Sequence, residues 1–196
     1  MFQQEKPILL ASGSPRRREY LERYGLEFEV RTAQIDETPL PGEDPITYVR
    51  RMVVGKAEPF AQKASNGSLV ITADTLVLLH GEIIGKPEGA GAVLPMLKKL
   101  NGQAHQVITG YGFWLGERRL VREVASRVYF RKSSDALLAA YAREKEPLDK
   151  AGAYSIQGLG TCLVESIEGS YNNVVGLPIE ELLADLITWG VIRPVL

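Results

Sequence analysis

Three arginines, Arg16, Arg17 and Arg18, follow Ser14-Pro15 in the stretch ASGSPRRREYL at residues 11–21. Ser14 reads as an N-cap and Pro15 as the first helical residue. Positive charge at a helix N-terminus opposes the helix dipole and costs about 0.3–1 kcal/mol per side chain. A bound anion removes that cost, because the free N–H groups of a helix start and an arginine fork both bind phosphate. Arg16 and Arg17 suit that role as well as they suit a solvated basic face. Arg18 stands four residues before Glu22, the spacing of an exposed ion pair, and reads as solvated.

Ala73-Asp74-Thr75 lies inside the strongest β pattern of the chain, 69–79 (LVITADTLVLL). A carboxylate among Val70, Ile71, Leu76 and Val77 is costly unless it is exposed, paired or bound to metal. Asp74 is therefore a candidate metal ligand or activator of water, although a single aspartate is more often a turn or cap residue. Gly81-Glu82-Ile83-Ile84-Gly85-Lys86-Pro87 is one residue short of a P-loop, and Pro87 replaces the Ser/Thr that would meet magnesium. Lys86 remains a rigidly presented ammonium between Gly85 and Pro87. Lys56 follows Gly55 in a helical segment, where a lysine is ordinarily solvated. Asp36 and Glu37 lie in a polar loop, and nothing local distinguishes them. In the glycine-rich segment 151–178, Gly158 and Gly160 do not complete a dinucleotide-binding GxGxxG. They do permit close backbone approach to a ligand. Gln157 beside them can both donate and accept hydrogen bonds, as reading a base edge requires.

The totals exclude several classes. The chain has 196 residues, 45% hydrophobic and 24% charged, and a formal net charge of −1. That balance argues against a nucleic-acid-binding surface and leaves anion recognition local. One cysteine, Cys162, and two histidines, His80 and His105, make an internal disulfide impossible and a Cys/His zinc site improbable. No run approaches 18 apolar residues, and the four-residue apolar run near the N-terminus is too short for a signal peptide; the expectation is a cytoplasmic protein without a membrane segment. Asn66-Gly67-Ser68 is a chance glycosylation sequon in that setting. No Ser-His-Asp set is present, and Cys162 heads what reads as an apolar strand. Direct attack by water fits better than a covalent intermediate.

The elements that would position these residues follow from periodicity. Strands are expected at 7–11, 26–32, 69–79, 83–84 and 162–167, with a hairpin of 105–115 and 119–131 turning at Gly116-Glu117. Helices are expected at 15–24 (stopped by Gly25), 45–64 (interrupted at Pro59), 89–100, 135–145 (capped by Ser134), and from Pro178 to Trp189. This mixture indicates an α/β or α+β domain with a mixed sheet, spanning 1–196 as a single unit.

Five motifs occur in order: Ser12-Gly13-Ser14-Pro15-Arg16-Arg17, Ala73-Asp74-Thr75, Gly85-Lys86-Pro87, Ser155-Ile156-Gln157-Gly158 and Gly176-Leu177-Pro178. Together they resemble the Maf family of nucleoside triphosphate pyrophosphatases, sometimes called septum-formation proteins, over about residues 7–190. The resemblance implies an inosine-triphosphatase-like α/β fold, an elongated mixed sheet with flanking helices forming two lobes around a central cleft. It implies cleavage between the α and β phosphates, a divalent metal (Mg²⁺ or Mn²⁺), a homodimer and a house-cleaning role toward abnormal nucleotides. Asp74 matches the family's catalytic carboxylate and Glu37 a second acidic position near the metal. Ser12, Arg17, Lys56 and Lys86 match its phosphate-binding positions. Arg16, Thr75 and Gln157 match the three positions that divide subfamilies, and this set resembles the dTTP/UTP branch. The 7-methyl-GTP branch has SPWR, SDQ and SEG at those places. A neutral Gln157 suits a pyrimidine edge, whereas a glutamate suits a base rich in N–H donors. A non-catalytic nucleotide-binding regulator of septum formation is the alternative expectation.

Overall fold

The structure, a computed structural model, describes residues 1–195. In chain order the elements are β1 (Phe2–Gln4), β2 (Ile8–Ala11), α1 (Pro15–Arg23), β3 (Phe28–Arg31), α2 (Pro45–Ala57), α3 (Ala61–Ser65), β4 (Leu69–Leu79), β5 (Glu82–Ile84), α4 (Ala90–Leu100), β6 (Ala104–Leu115), β7 (Arg118–Phe130), α5 (Asp135–Tyr141), β8 (Val164–Glu168), α6 (Tyr171–Val175), α7 (Ile179–Thr188) and β9 (Ile192–Pro194). Six strands run in the order β3-β2-β4-β6-β7-β8, with β5 added on β4, to make a seven-stranded sheet. β2 is parallel to both β3 and β4, whereas β5 and β8 join antiparallel, so the sheet is mixed. β1 and β9 form a separate antiparallel pair. Among the described residues no helix is long and apolar enough to cross a membrane.

The chain divides into two compact units. The first comprises 1–74, 109–124 and the C-terminal segment from Gly176, and the second 75–108 and 125–175. In the first, Leu9, Ala11, Val53, Ala57, Phe60, Ala64, Val70 and Trp114 form a buried cluster. Helix α2 lies close on β6 because two glycines leave room for it. A Cβ on Gly110 would meet Val53 Cγ2 at 3.0 Å, and one on Gly112 would sit 2.8 Å from Val53 Cγ1. The Thr72 hydroxyl, fully buried, donates to the Val53 carbonyl at 2.8 Å and fixes α2 along β4. In the second unit the His105, Phe130 and Tyr154 rings pack edge to face in the core.

Most expected elements are present, and the differences have local causes. The helix from 45 breaks at Pro59 into α2, a 3₁₀ turn (Glu58–Phe60) and α3, as expected from the missing proline N–H. Ser134 does cap α5, accepting from Leu137 N, but the helix ends at Tyr141 instead of 145. Its last turn tightens through Arg143 N to Ala140 O and Glu144 N to Tyr141 O, just before Pro147. Cys162 does not head a strand. It is exposed in a 3₁₀ turn (Leu159–Leu163), and β8 begins only at Val164. Arg18 is exposed as expected, yet it makes no ion pair with Glu22 among the described residues. α6 and the β1–β9 pair were not legible: each is short, and neither carries a sustained period.

Candidate functional site

The carboxyl ends of β2 and the parallel part of β4 lie side by side, since Ile8, Leu9 and Leu10 pair with Leu69, Val70 and Ile71. Ligands of open α/β sheets sit beyond such strand ends. Ser12 follows β2 there, and Asp74 lies three residues past Ile71. Arg17 comes from the first turn of α1 and is buried. Its Nε donates to the Gly176 carbonyl at 2.8 Å, and its Nη1 donates to Ser12 Oγ at 3.0 Å and to the Ala73 carbonyl at 2.7 Å. Ser12 Oγ also accepts from Ser14 N at 3.3 Å, while the Ser14 side chain makes no cap hydrogen bond to α1. The guanidinium thus ties together the end of β2, the residue before Asp74 and the entry to α7. Burial lowers the Arg17 pKa to about 10, with the Asp74 carboxylate acting in the opposite sense, so the group stays charged at neutral pH.

Lys56 is the centre of the charged cluster. Its ammonium lies 2.5 Å from Asp74 Oδ1 and 2.8 Å from Glu37 Oε1. The Lys56 and Asp74 side chains are only 13% and 14% exposed, so this is no solvated surface pair. Glu37 reaches the cluster because its loop is fastened to α2. Tyr48 donates its hydroxyl to the Glu37 carbonyl at 2.9 Å. Arg51 pairs with Glu43 at 2.6 Å and donates to the Thr38 carbonyl at 3.0 Å. A Cβ on Gly55 would touch Ile35 Cδ1 at 3.4 Å, so the loop lies close to the helix. Asp44 caps α2 through Ile46 N and Thr47 N. Burial, then the Asp74 and Glu37 charges, push the Tyr48 hydroxyl up to about 12, which keeps it a donor.

The first unit therefore brings together Ser12, Arg17, Glu37, Lys56 and Asp74, with Arg16 half-exposed beside Arg17 on α1. Thr75, Lys86 and Gln157 belong to the second unit. Thr75 is half-buried in β4. Lys86 is exposed in the loop after β5 and makes no ion pair among the described residues; the neighbouring Gly85 carbonyl accepts from Gly152 N at 3.0 Å. Gln157 is exposed at a turn whose backbone is tied by Gln157 N to Ser155 Oγ at 3.3 Å. An open depression of about 510 Å³ is lined by Gln157, Ile156 and Tyr171. Sequence reasoning missed Thr72, Tyr48 and Arg51, whose work is done through tertiary contacts. It also attached no chemistry to Gly176, which proves to be an acceptor for Arg17.

The family described as "Maf-like protein" matches residues 7–189. The chain belongs to the Maf family. Curated Maf relatives are similar along nearly their whole length. A protein of Citrifermentans bemidjiense named dTTP/UTP pyrophosphatase is 46% identical over 90% of this chain and 92% of its own. Proteins of the same name from Geobacter metallireducens and Geotalea uraniireducens are 46% and 45% identical, covering 93% and 98% of this chain and 96% and 100% of their own. Among solved structures the Staphylococcus aureus Ham1 protein matches with a TM-score of 0.53 and 15% identity, over 94% of this chain and 100% of its own. That likeness is one of fold. It agrees with the mixed α/β, inosine-triphosphatase-like class that the Maf resemblance implied.

Proposed function

We propose that this chain hydrolyses dTTP and UTP to the nucleoside monophosphate and pyrophosphate, the whole Maf span acting as one domain. The observation that carries the reading is the convergence of Asp74 and Glu37 on the Lys56 ammonium beside the β2–α1 turn. The names of the curated relatives support the substrate assignment. Water cleaves the α–β bridge directly, with Asp74 placed to take its proton as pyrophosphate leaves. Lys56 and Lys86 supply positive charge for the leaving phosphates. Ser12 and Arg17 mark the phosphate side. Because Nε and Nη1 of Arg17 are committed to protein acceptors, its contribution is mainly a fixed charge behind the β2–α1 turn. Arg16, Thr75 and Gln157 select the base.

The donor set suits a divalent ion, Mg²⁺ or Mn²⁺. Asp74 and Glu37 offer hard oxygen ligands that already share one cation, the Lys56 ammonium. Among the described residues no group of three or more His, Cys, Asp or Glu side chains is placed to hold a metal. Two carboxylates, with phosphate oxygens and water completing the shell, is the ordinary arrangement for Mg²⁺. When bound, such an ion neutralises charge on the triphosphate. The Maf resemblance further supports a cytoplasmic homodimer. The test of the reading is pyrophosphate release from dTTP, UTP, CTP, GTP and 7-methyl-GTP with Mg²⁺, and again after EDTA. dTTP and UTP should be cleaved fastest, and only with metal. Binding without pyrophosphate release would instead favour a nucleotide-sensing regulator.

A further inference from the structure

We propose that Glu146 is a positioning residue for base recognition, an internal anion that sets the backbone of the turn carrying Gln157. The inference rests on the reading of Gln157 as the side chain that meets the base. Glu146 opens a 3₁₀ turn (Glu146–Asp149) in the second unit, and its carboxylate lies inside the 155–161 turn. Glu146 Oε2 accepts from Leu159 N at 3.0 Å, and Oε1 accepts from Gly160 N at 3.0 Å and from the Tyr141 hydroxyl at 2.8 Å. Tyr141 Oη in turn accepts from Ser155 N at 3.1 Å. The Thr161 hydroxyl spans the turn, 2.7 Å from both the Ile156 and Gly158 carbonyls. Gln157 is exposed in this turn, with its backbone N–H bonded to Ser155 Oγ and the carbonyls on either side of it, those of Ile156 and Gly158, bonded to Thr161.

The glycines fit this carboxylate. A Cβ on Gly158 would lie 1.8 Å from Glu146 Oε2, and one on Gly160 would lie 2.6 Å from both Ser155 O and Tyr141 Oη. At Gly158 the closely approached group is the chain's own glutamate, and at Gly160 it is the Ser155 carbonyl and the Tyr141 hydroxyl that bonds that glutamate, so groups of this chain account for both glycines. Burial alone would raise the Glu146 pKa. The N–H of Gly160, the hydroxyl of Tyr141 and the N–H of Leu159 outweigh it and hold the group below the ordinary carboxylate value. The turn is therefore built around an ionised carboxylate, and a neutral isostere cannot reproduce it. A glutamine offers one acceptor oxygen and turns an N–H₂ toward an N–H.

The experiment measures kcat/KM for dTTP and for CTP in the wild type, Glu146→Gln, Gln157→Ala and the double variant. Both substrates are assayed on the same preparation, so the ratio divides out any loss of folded enzyme. Glu146→Gln is expected to lower the dTTP/CTP ratio by about tenfold, the scale of a lost specificity contact. The double variant should lose no more than Gln157→Ala alone, because one residue acts through the other. Amide exchange at Leu159 and Gly160 should accelerate in Glu146→Gln. Tyr141→Phe, which removes the hydroxyl but no charge, should lower the ratio in the same direction and serves if Glu146→Gln does not fold. An unchanged ratio in Gln157→Ala overturns the base-reading role of Gln157, and the proposal with it. A changed ratio there, with an unchanged ratio, additive losses or unaltered amide exchange in Glu146→Gln, overturns the positioning role alone.

Discussion

Asp74→Asn separates chemistry from stability with a single oxygen-to-nitrogen change. In the native cluster one ammonium, Lys56, faces two carboxylates, Asp74 at 2.5 Å and Glu37 at 2.8 Å. The substitution leaves a one-to-one pair of Lys56 with Glu37 and an amide whose oxygen still accepts from Lys56. The stability cost is therefore that of weakening one charge-assisted hydrogen bond to a neutral one, about 1–2 kcal/mol, rather than the larger cost of stranding a buried ion. For a chain of this size that corresponds to a fall in Tm of roughly 2–8 °C. Catalysis should suffer far more. An amide cannot take a proton from water, and loss of a positioned general base costs about 10²–10⁴-fold. Pyrophosphate release from dTTP with Mg²⁺, measured beside a thermal melt, reads both quantities. Turnover within tenfold of wild type would refute the assignment of Asp74. A Tm loss far beyond 8 °C would show that the cluster is mainly structural.

The three arginines at the start of α1 should behave differently when each is changed to alanine. Arg17→Ala removes the Arg17 donor from Ser12 Oγ and from the Ala73 and Gly176 carbonyls; it should cost roughly 3 kcal/mol as well as turnover, and lysine should rescue little because it lacks the fork. Arg16→Ala should alter the ratio of rates across a nucleotide panel, and Arg18→Ala should leave both rate and melting near wild type. His105 is buried, with Nε2 2.8 Å from the Tyr154 hydroxyl, and burial lowers its pKa to about 4. The unfolded chain binds that proton near pH 6.5, so this group's contribution is full above pH 6.5 and shrinks by about 3 kcal/mol as pH falls toward 4; His105→Gln should flatten the acid limb of Tm against pH over that window. Glu43, hydrogen-bonded to Arg51 against the opposing effect of burial, is held down to about 2. A depressed carboxylate contributes above its unfolded pKa and loses that contribution as pH falls through the folded value, so amide-exchange protection of 36–44 should persist at pH 4 and fade toward pH 2; loss already at pH 5 would refute the clasp.

How much of this was legible before the fold depended on how far each residue's partners lie along the chain. β4 and α1 were readable because their evidence is local: a β run of eleven residues, and a proline and a glycine bracketing a helix. Asp74 stood out because a carboxylate inside that run demanded an explanation, and Lys56 now provides one. Glu37 could not be singled out from its own surroundings. Its importance depends on α2 lying flat over Gly110 and Gly112, which brings Lys56 under its loop. The local pattern around Arg17 suits an anion ligand and a solvated face equally, and the fold instead buries it. Two of its acceptors lie 56 and 159 residues away, and no local pattern records such contacts. Gly158 and Gly160 read as room for a ligand, and the groups that lie close to them are Glu146 at Gly158 and Ser155 and Tyr141 at Gly160. The occupant was missed, because a glutamate twelve residues upstream carries no periodic or motif signal.

The charges in the first unit explain how such a cluster exists in a stable fold before substrate arrives. Asp74 and Glu37 carry two negative charges, and Lys56 and Arg17 carry two positive ones. Each is held by hydrogen bonds within the unit. A partly buried set of four ions is favoured when its charges balance and each member has a partner, and it is costly when one member is left without a partner. A cation taking the carboxylate oxygens competes directly with the Lys56 ammonium, whereas Arg17, fastened to carbonyls, has no such competitor. The two positive groups are thus unequal. Arg17 is anchored, and its charge belongs to the scaffold. Among the described residues Lys56 pairs with the two carboxylates, so on the proposed reading its positive charge turns to phosphate when those carboxylates are engaged elsewhere. On the proposed reading, this asymmetry, more than the number of basic residues, is what would suit the cluster to a metal–triphosphate pair.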